Sequence, residues 1–272
     1  MIKILGVKIN LNKREEVLEE VRKYLKQYPI SNIQYPKKRL KPFVIFTPNP
    51  EIINYAQKDQ YFKQIVNSAQ INIPDGAGLC FAMEKKFHIK TSRLSGTDLM
   101  LDMCDMSSNN RFTIGLIGGR KGVALAAFEC LKQKYPGLNG WAIDGPEVRI
   151  TNYKVQVINE TQNSDKQLKK ITEKIIREKT DILFVALGFP KQEYFISQLS
   201  AVSCQVSVRP LILMGVGGAF DYISGRVKRA PVWMRKNGLE WMYRLIHEPW
   251  RYKRQIAGLS FFRQILFTTH NN

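Results

Sequence analysis

Phe43-Val44-Ile45-Phe46-Thr47-Pro48-Asn49-Pro50-Glu51 reads as a buried strand, a short polar loop and the first turn of a helix. Four apolar residues in a row suit a strand covered on both faces. Asn49 can cap the helix that follows, and Pro50 fits its first turn. A second stretch repeats the arrangement: Ile71-Asn72-Ile73 leads into Asp75-Gly76-Ala77-Gly78. Ligands of open α/β sheets bind outside the carboxyl ends of the strands. The two loops therefore suggest one shared site, where the Thr47 hydroxyl, the Asn49 amide and the Asp75 carboxylate converge. Of the three, only Asp75 can act as a base. Turn chemistry alone would account equally well for an Asp-Gly pair at this place.

The same alternation continues outward. Residues 2–9 read as a strand, followed by a helix with Asn12 as its cap and Val17, Val21 and Leu25 as its apolar stripe. Helices are expected near 50–57, 60–69 and 78–86, and another from Gly96 to Met106. A strand over 111–117 opens into Gly118-Gly119-Arg120-Lys121-Gly122 and a long helix to Tyr135. Residues 138–143, 182–187 and 211–214 complete the strands, with an amphipathic helix at 167–179. Strands alternating with helices predict an α/β fold: a Rossmann-like, largely parallel sheet covered on both faces. A basic loop at 35–42 precedes the Thr47 strand.

Past Tyr222 the composition changes. Residues 222–272 hold ten Lys and Arg but only two acids, Glu240 and Glu248, interleaved with Trp233, Trp241, Tyr243, Trp250 and Tyr252. Leu239, Met242, Leu245 and Ile246 form an apolar stripe beside the charges, the pattern of an interfacial helix. The expected organisation is an α/β domain over 1–221 and a basic, aromatic helical appendage over 222–272. On this reading the sheet would stay folded without the tail.

The 272-residue chain carries a net charge of +19, which calls for an anionic partner: nucleic acid, anionic lipid or a phosphorylated substrate. Cys80, Cys104, Cys130 and Cys204 form no C-x-x-C pair, which argues against zinc and for small buried residues in a reducing cytoplasm. The lysines at positions 3 and 8 break the N-terminal apolar pattern, so it does not read as a signal peptide. No apolar run reaches the length of a membrane span. His88, His247 and His270 are isolated and read as ordinary histidines.

Six motifs occur in order along most of the chain: Thr47-Pro-Asn-Pro-Glu51, Asp75-Gly-Ala-Gly78, Arg93-Leu-Ser-Gly-Thr-Asp98, Gly188-Phe-Pro-Lys-Gln-Glu193, Gly215-Val-Gly-Gly-Ala-Phe-Asp221, and Arg229-Ala-Pro-Val-Trp233 with Gly238-Leu-Glu-Trp241. In these the chain resembles the bacterial WecG/TagA/CpsF glycosyltransferase family. That family includes the N-acetylmannosamine transferase of wall teichoic acid synthesis and the N-acetylmannosaminuronic acid transferase of enterobacterial common antigen synthesis. The resemblance implies an inverting transferase that moves a hexose from a UDP-sugar to a polyprenyl-diphosphate-linked saccharide. The hexose would be N-acetylmannosamine, its uronic acid or a relative. Such an enzyme works without metal or cofactor, on the inner face of the cell membrane. Asp75 matches the family's candidate base; Thr47, Asn49 and Gln192 match residues near the substrate.

The residues fit that chemistry. A base must take the acceptor's proton, and the charge developing on the leaving diphosphate must be met. No Asp-x-Asp metal motif is present, so arginines are the alternative. The resemblance implies that the basic tail supplies them, and Arg226, Arg229 and Arg235, nearest in sequence to the 215–220 loop, are the candidates. Arg244, Arg251, Lys253 and Arg254 read as the membrane-facing set. Arg93 either reaches the site or pairs with Asp98 or Glu84. The loops containing Gly118 and Gly217 both follow strands and could cradle a diphosphate, but neither completes G-x-G-x-x-G, which weakens a nicotinamide-dependent oxidoreductase reading. The rival from another class is a basic nucleic-acid-binding protein. The charge is concentrated in the tail and no recognised nucleic-acid motif appears, so no nucleic-acid partner is expected. The oligomeric state is left open, a homo-oligomer included.

Overall fold

The computed structural model describes residues 1–26, 40–89, 91, 93–152, 154–157, 164–206, 209–249, 252 and 260–265. The chain opens with an antiparallel hairpin of β1 (Ile2–Ile4) and β2 (Val7–Ile9), not the single strand expected over 2–9. Leu5 and Gly6 both have positive φ, the backbone of a tight hairpin turn. Helix α1 (Arg14–Lys26) follows and buries Val17, Val21 and Leu25. Asn12 lies outside it and bonds Glu20 instead of capping. Strand β3 (Phe43–Phe46) then leads to α2 (Pro50–Lys58), α3 (Gln60–Asn67), β4 (Ile71–Asn72), α4 (Ala77–Phe87) and α5 (Gly96–Asn110).

Next come β5 (Thr113–Gly118), α6 (Val123–Lys134) and β6 (Asn139–Ile143), then a small hairpin of β7 (Val148–Thr151) and β8 (Lys154–Val157). The chain continues through α7 (Ser164–Arg177), β9 (Ile182–Ala186), α8 (Lys191–Val206), β10 (Ile212–Gly215) and α9 (Ala219–Ile223). The tail supplies α10 (Val232–Lys236), α11 (Glu240–His247) and a helical segment at 260–265.

Six strands form one sheet in the order β4-β3-β10-β9-β5-β6, and every neighbouring pair is parallel. Alternation along the strands makes two cores. Val44, Phe46, Leu183, Val185 and Leu213 point to one, against α2, α3, α4, α7 and α8. Ile45, Ile182, Phe184, Ile212 and Met214 point to the other, against α1, α5, α6 and α9. Because all six strands run the same way, the loops after them emerge along one edge. The motif-bearing loops follow β3, β4, β5, β9 and β10 and so share that edge.

The tail does not stand apart from this framework. Phe261 is fully buried and Ile265 nearly so, both in the core beneath α2 and α4. The Gln264 amide donates to Asn54 on α2 at 3.1 Å, and Lys86 on α4 donates to the Ile265 carbonyl at 2.8 Å. The expectation that the sheet folds without the tail is therefore revised: residues past 221 complete one of its two cores. Of the basic loop at 35–42, residues 35–39 lie outside the described residues, as do Trp250, Arg251, Lys253 and Arg254.

Candidate active site

The loops after β3 and β4 are tied together by backbone. Ile73 donates to the Phe46 carbonyl at 3.0 Å, and Asp75 donates to the Pro48 carbonyl at 2.8 Å. This brings Thr47 and Asp75 side by side at the ends of adjacent strands. The Thr47 hydroxyl oxygen stands 3.0 Å from where Gly96 would carry a Cβ, and the Gly96 N–H points to Asp75 Oδ2 at 3.5 Å. A side chain at 96 would therefore crowd Thr47 at the start of α5.

Asp75 faces Arg93, whose Nε lies 3.5 Å from Oδ1. The same guanidinium donates through Nη2 to Glu240 on α11 at 2.5 Å. Glu240 is buried and also lies 3.6 Å from Arg229 Nε. Arg229 grips Asp98 with two bonds of 2.6 and 2.9 Å and reaches the Ser95 hydroxyl at 3.2 Å. The charges thus alternate in a chain, Asp75–Arg93–Glu240–Arg229–Asp98, that crosses from the sheet edge into the tail and back. Gly238, in a left-handed conformation, makes the approach possible: a Cβ there would clash with that of Ala77, which opens α4 just after Asp75.

Burial pushes the Asp75 carboxyl above the usual carboxylate range. Arg93 pulls it back, Glu240 raises it further, and Gly96 and Arg244 lower it, leaving the net shift upward. A carboxylate that holds a proton more tightly than free Asp is the stronger base once ionised. Burial, and next the Asp75 charge, also push the Cys80 thiol up to about 11, so it stays protonated near neutrality. Asp98 shows the opposite balance. Its burial is outweighed by its bonds to Arg229 and the nearby Arg235 charge, and its carboxyl lies below the usual range.

The other expected residues fall into distinct places. Asn49 Oδ1 accepts from Ile52 N at 2.9 Å, so its oxygen caps α2. Gln192 is buried beneath the loop after β10: its Oε1 accepts from Gly217 N at 2.9 Å and its Nε2 donates to Glu193 at 2.9 Å. It shapes that loop from within. Gly118 is buried at the end of β5, where a Cβ would lie 2.5 Å from the Ala186 carbonyl oxygen. It lies three strand spacings from β3, about 14 Å along the edge. Arg226 is exposed. Arg235 donates to the Ala230 carbonyl at 3.1 Å and lies 3.9 Å from Asp98.

Two residues at this site were missed from the sequence. Glu240 joins Arg93 to Arg229. Arg244, expected on the membrane face, instead stacks on Tyr222 at 4.7 Å, and its Nη2 lies 3.3 Å from the Cβ position of Gly218. The two are four residues apart on α11, hence on one helix face, and that spacing was a legible signal. Among the described residues, no three His, Cys, Asp or Glu side chains are grouped to hold a metal ion.

Comparison with known proteins fits this arrangement. The chain is 32% identical over 214 residues, 79% of its length and 75% of the relative's, to the N-acetylglucosaminyldiphosphoundecaprenol N-acetyl-beta-D-mannosaminyltransferase of Bacillus subtilis. It is 30% identical over 222 residues to the protein of that name in Bacillus spizizenii, covering 82% of this chain and 78% of that one. The Staphylococcus aureus protein is 26% identical over 261 residues, 96% of this chain and 90% of the relative. The model of the family matches residues 2–271. A six-stranded parallel sheet, motif loops gathered on one edge and a match along nearly the whole length agree: this chain is an enzyme of the glycosyl transferase WecG/TagA/CpsF family.

Proposed function

We propose that this glycosyltransferase moves N-acetylmannosamine or a closely related hexose from a UDP-sugar onto N-acetylglucosaminyl-diphosphoundecaprenol. The relatives named for that acceptor support the reading. The observation that carries the mechanism is the partly buried Asp75 carboxylate in the loop after β4, held 3.5 Å from Arg93 Nε and beside the Thr47 loop. Asp75 takes the proton from the acceptor hydroxyl as its oxygen attacks the anomeric carbon. The bond to UDP breaks on the opposite face, inverting the centre. The charge developing on the diphosphate is met by the Gly217 loop and by Arg244, with Arg226 and Arg235 in the same quarter of the tail. Thr47 borders the sugar, and Asn49 can still offer its amide nitrogen. Arg229 serves mainly to hold the tail against α5.

Residues 1–221 carry the base, and residues 222–272 bring diphosphate contacts and a membrane-facing surface. Five of the eleven large exposed apolar side chains among the described residues belong to this tail: Val232, Trp233, Trp241, Ile246 and Tyr252. Trp side chains beside basic residues suit the headgroup region of an anionic bilayer. No helix among the described residues is long and apolar enough to cross a membrane, so association would be peripheral.

The test is a panel of UDP-sugars offered with the undecaprenyl-diphosphate-linked acceptor, reading UDP release with and without a chelator. The reading expects UDP-N-acetylmannosamine or a near relative to be used, with activity surviving chelation. No turnover with any UDP-sugar would overturn it, and a strict metal requirement would overturn the arginine-based account of the leaving group. The nucleic-acid alternative predicts salt-sensitive binding to duplex DNA; the membrane reading predicts binding to anionic liposomes instead.

A further inference from the structure

We infer that Glu240, carried in by the tail, is a positioning residue that keeps the Arg93 guanidinium from closing on Asp75. The two contacts of Arg93 are unequal: 2.5 Å to Glu240 through Nη2, but 3.5 Å to Asp75 through Nε. An arginine fork next to a single carboxylate tends to form two parallel bonds with it. Here the terminal nitrogen is taken by Glu240, so Asp75 meets the guanidinium edge at long range and keeps lone pairs for an incoming hydroxyl. Glu240 is itself fixed by Arg229 at 3.6 Å and by burial, with Gly238 packed on Ala77 just before α11.

Among the described residues, the charged and titratable groups that act on Asp75 come from three places. Arg93 comes from the loop before α5, Glu240 and Arg244 from α11, and Cys80 from α4; Gly96 adds an N–H from α5. Arg93 is the strongest influence favouring ionisation, and Glu240 opposes it. Removing the Glu240 charge frees Arg93 to pair with Asp75 alone. The base then ionises at lower pH and accepts a proton less readily.

The inference rests on Asp75 being the base, and the experiment separates the two. The pH dependence of kcat/KM is measured by UDP release for the native enzyme, Glu240→Gln, Glu240→Asp, Asp98→Asn and Asp75→Asn. Glu240→Gln should move the acidic limb down by about one pH unit, the lower end of what an adjacent arginine does to Asp. Its plateau should fall roughly three- to tenfold. Glu240→Asp keeps the charge but withdraws it, so it should move the limb the same way by less, and it serves alone if Glu240→Gln does not fold. Asp98→Asn loosens the Arg229 clamp without breaking a bond of Arg93 and should move the limb less than Glu240→Gln does. A Glu240→Gln or Glu240→Asp enzyme with a lowered plateau and an unmoved limb would overturn the inference, as would an equal shift in Asp98→Asn. Full activity in Asp75→Asn would overturn the base assignment and this inference with it; an inactive Asp75→Asn beside an unmoved Glu240→Gln limb defeats the inference alone.

Discussion

The six-stranded sheet and the basic tail are held by different forces. The sheet is apolar on both faces and needs no charge to register: β9, β10 and β3 pair through Ile, Leu, Val, Phe and Met. The tail docks through guanidinium–carboxylate contacts and through an apolar foot, with Phe261 and Ile265 in the core and Phe262 packed against it. The difference teaches where specificity lies. Apolar burial fixes the edge on which the loops gather; the ion pairs decide what stands beside Asp75. It also shows how so basic a tail can dock beside a carboxylate-bearing loop. Some of its arginines are neutralised as clamps, while Arg226 stays exposed.

The comparison is broken most severely by removing the tail. Truncation after Asp221 should abolish transfer and also lower the unfolding midpoint sharply, because the core loses Phe261 and Ile265. Phe261→Ala alone should cost about 3–5 kcal/mol in denaturant unfolding. A truncated protein as stable as the full chain would show that the tail only rests on the surface.

Arg229→Ala attacks the clamp. It leaves Asp98 and Glu240 without their shared partner and should cost about 1–2 kcal/mol, below the figure for a fully buried pair because Asp98 is partly exposed. The sign of its pH dependence follows from Asp98, whose carboxyl is held below the usual range. That stabilisation is present above the unfolded-state value and is lost as pH falls through the folded one, below about pH 4. Thermal unfolding of Arg229→Ala should therefore vary less with pH in that acidic window than the native protein does.

Trp233 and Trp241, 61% and 49% exposed, sharpen the other side of the tail. Replacing both with Ala should weaken co-sedimentation with anionic liposomes roughly thirtyfold, about 1 kcal/mol for each partly inserted ring. Activity on a water-soluble acceptor should be spared. The smallest effect belongs to Asn49. Asn49→Ala should cost about 1 kcal/mol as a lost helix cap, and Asn49→Asp should restore stability. If Asn49→Asp is stable but slow, the amide nitrogen touches substrate as well.

The sheet was largely legible because runs such as Ile182–Ala186 are apolar throughout and the turns between elements carry Gly, Pro or Asn. The hairpin at 2–9 was missed although its evidence was present: Ile4 and Val7 are both fully buried, and a step of three breaks the period of two that one strand requires. Asp75 was legible from its place after a strand. Its surroundings were not, because Arg93 and Glu240 are 147 residues apart and no local pattern joins them. Gln192 and Gly118 carried motif signals, yet their side-chain space is spent on packing, which only the folded contacts reveal.

The most direct test is Asp75→Asn, with turnover and melting temperature read on the same preparation. The folded Asp75 carboxyl titrates above its unfolded range, so its charge disfavours the fold at neutral pH, and a neutral isostere removes that cost. The account predicts a roughly 10²- to 10⁴-fold loss of UDP release with a melting temperature that does not fall. Near-native turnover from the folded variant would contradict it.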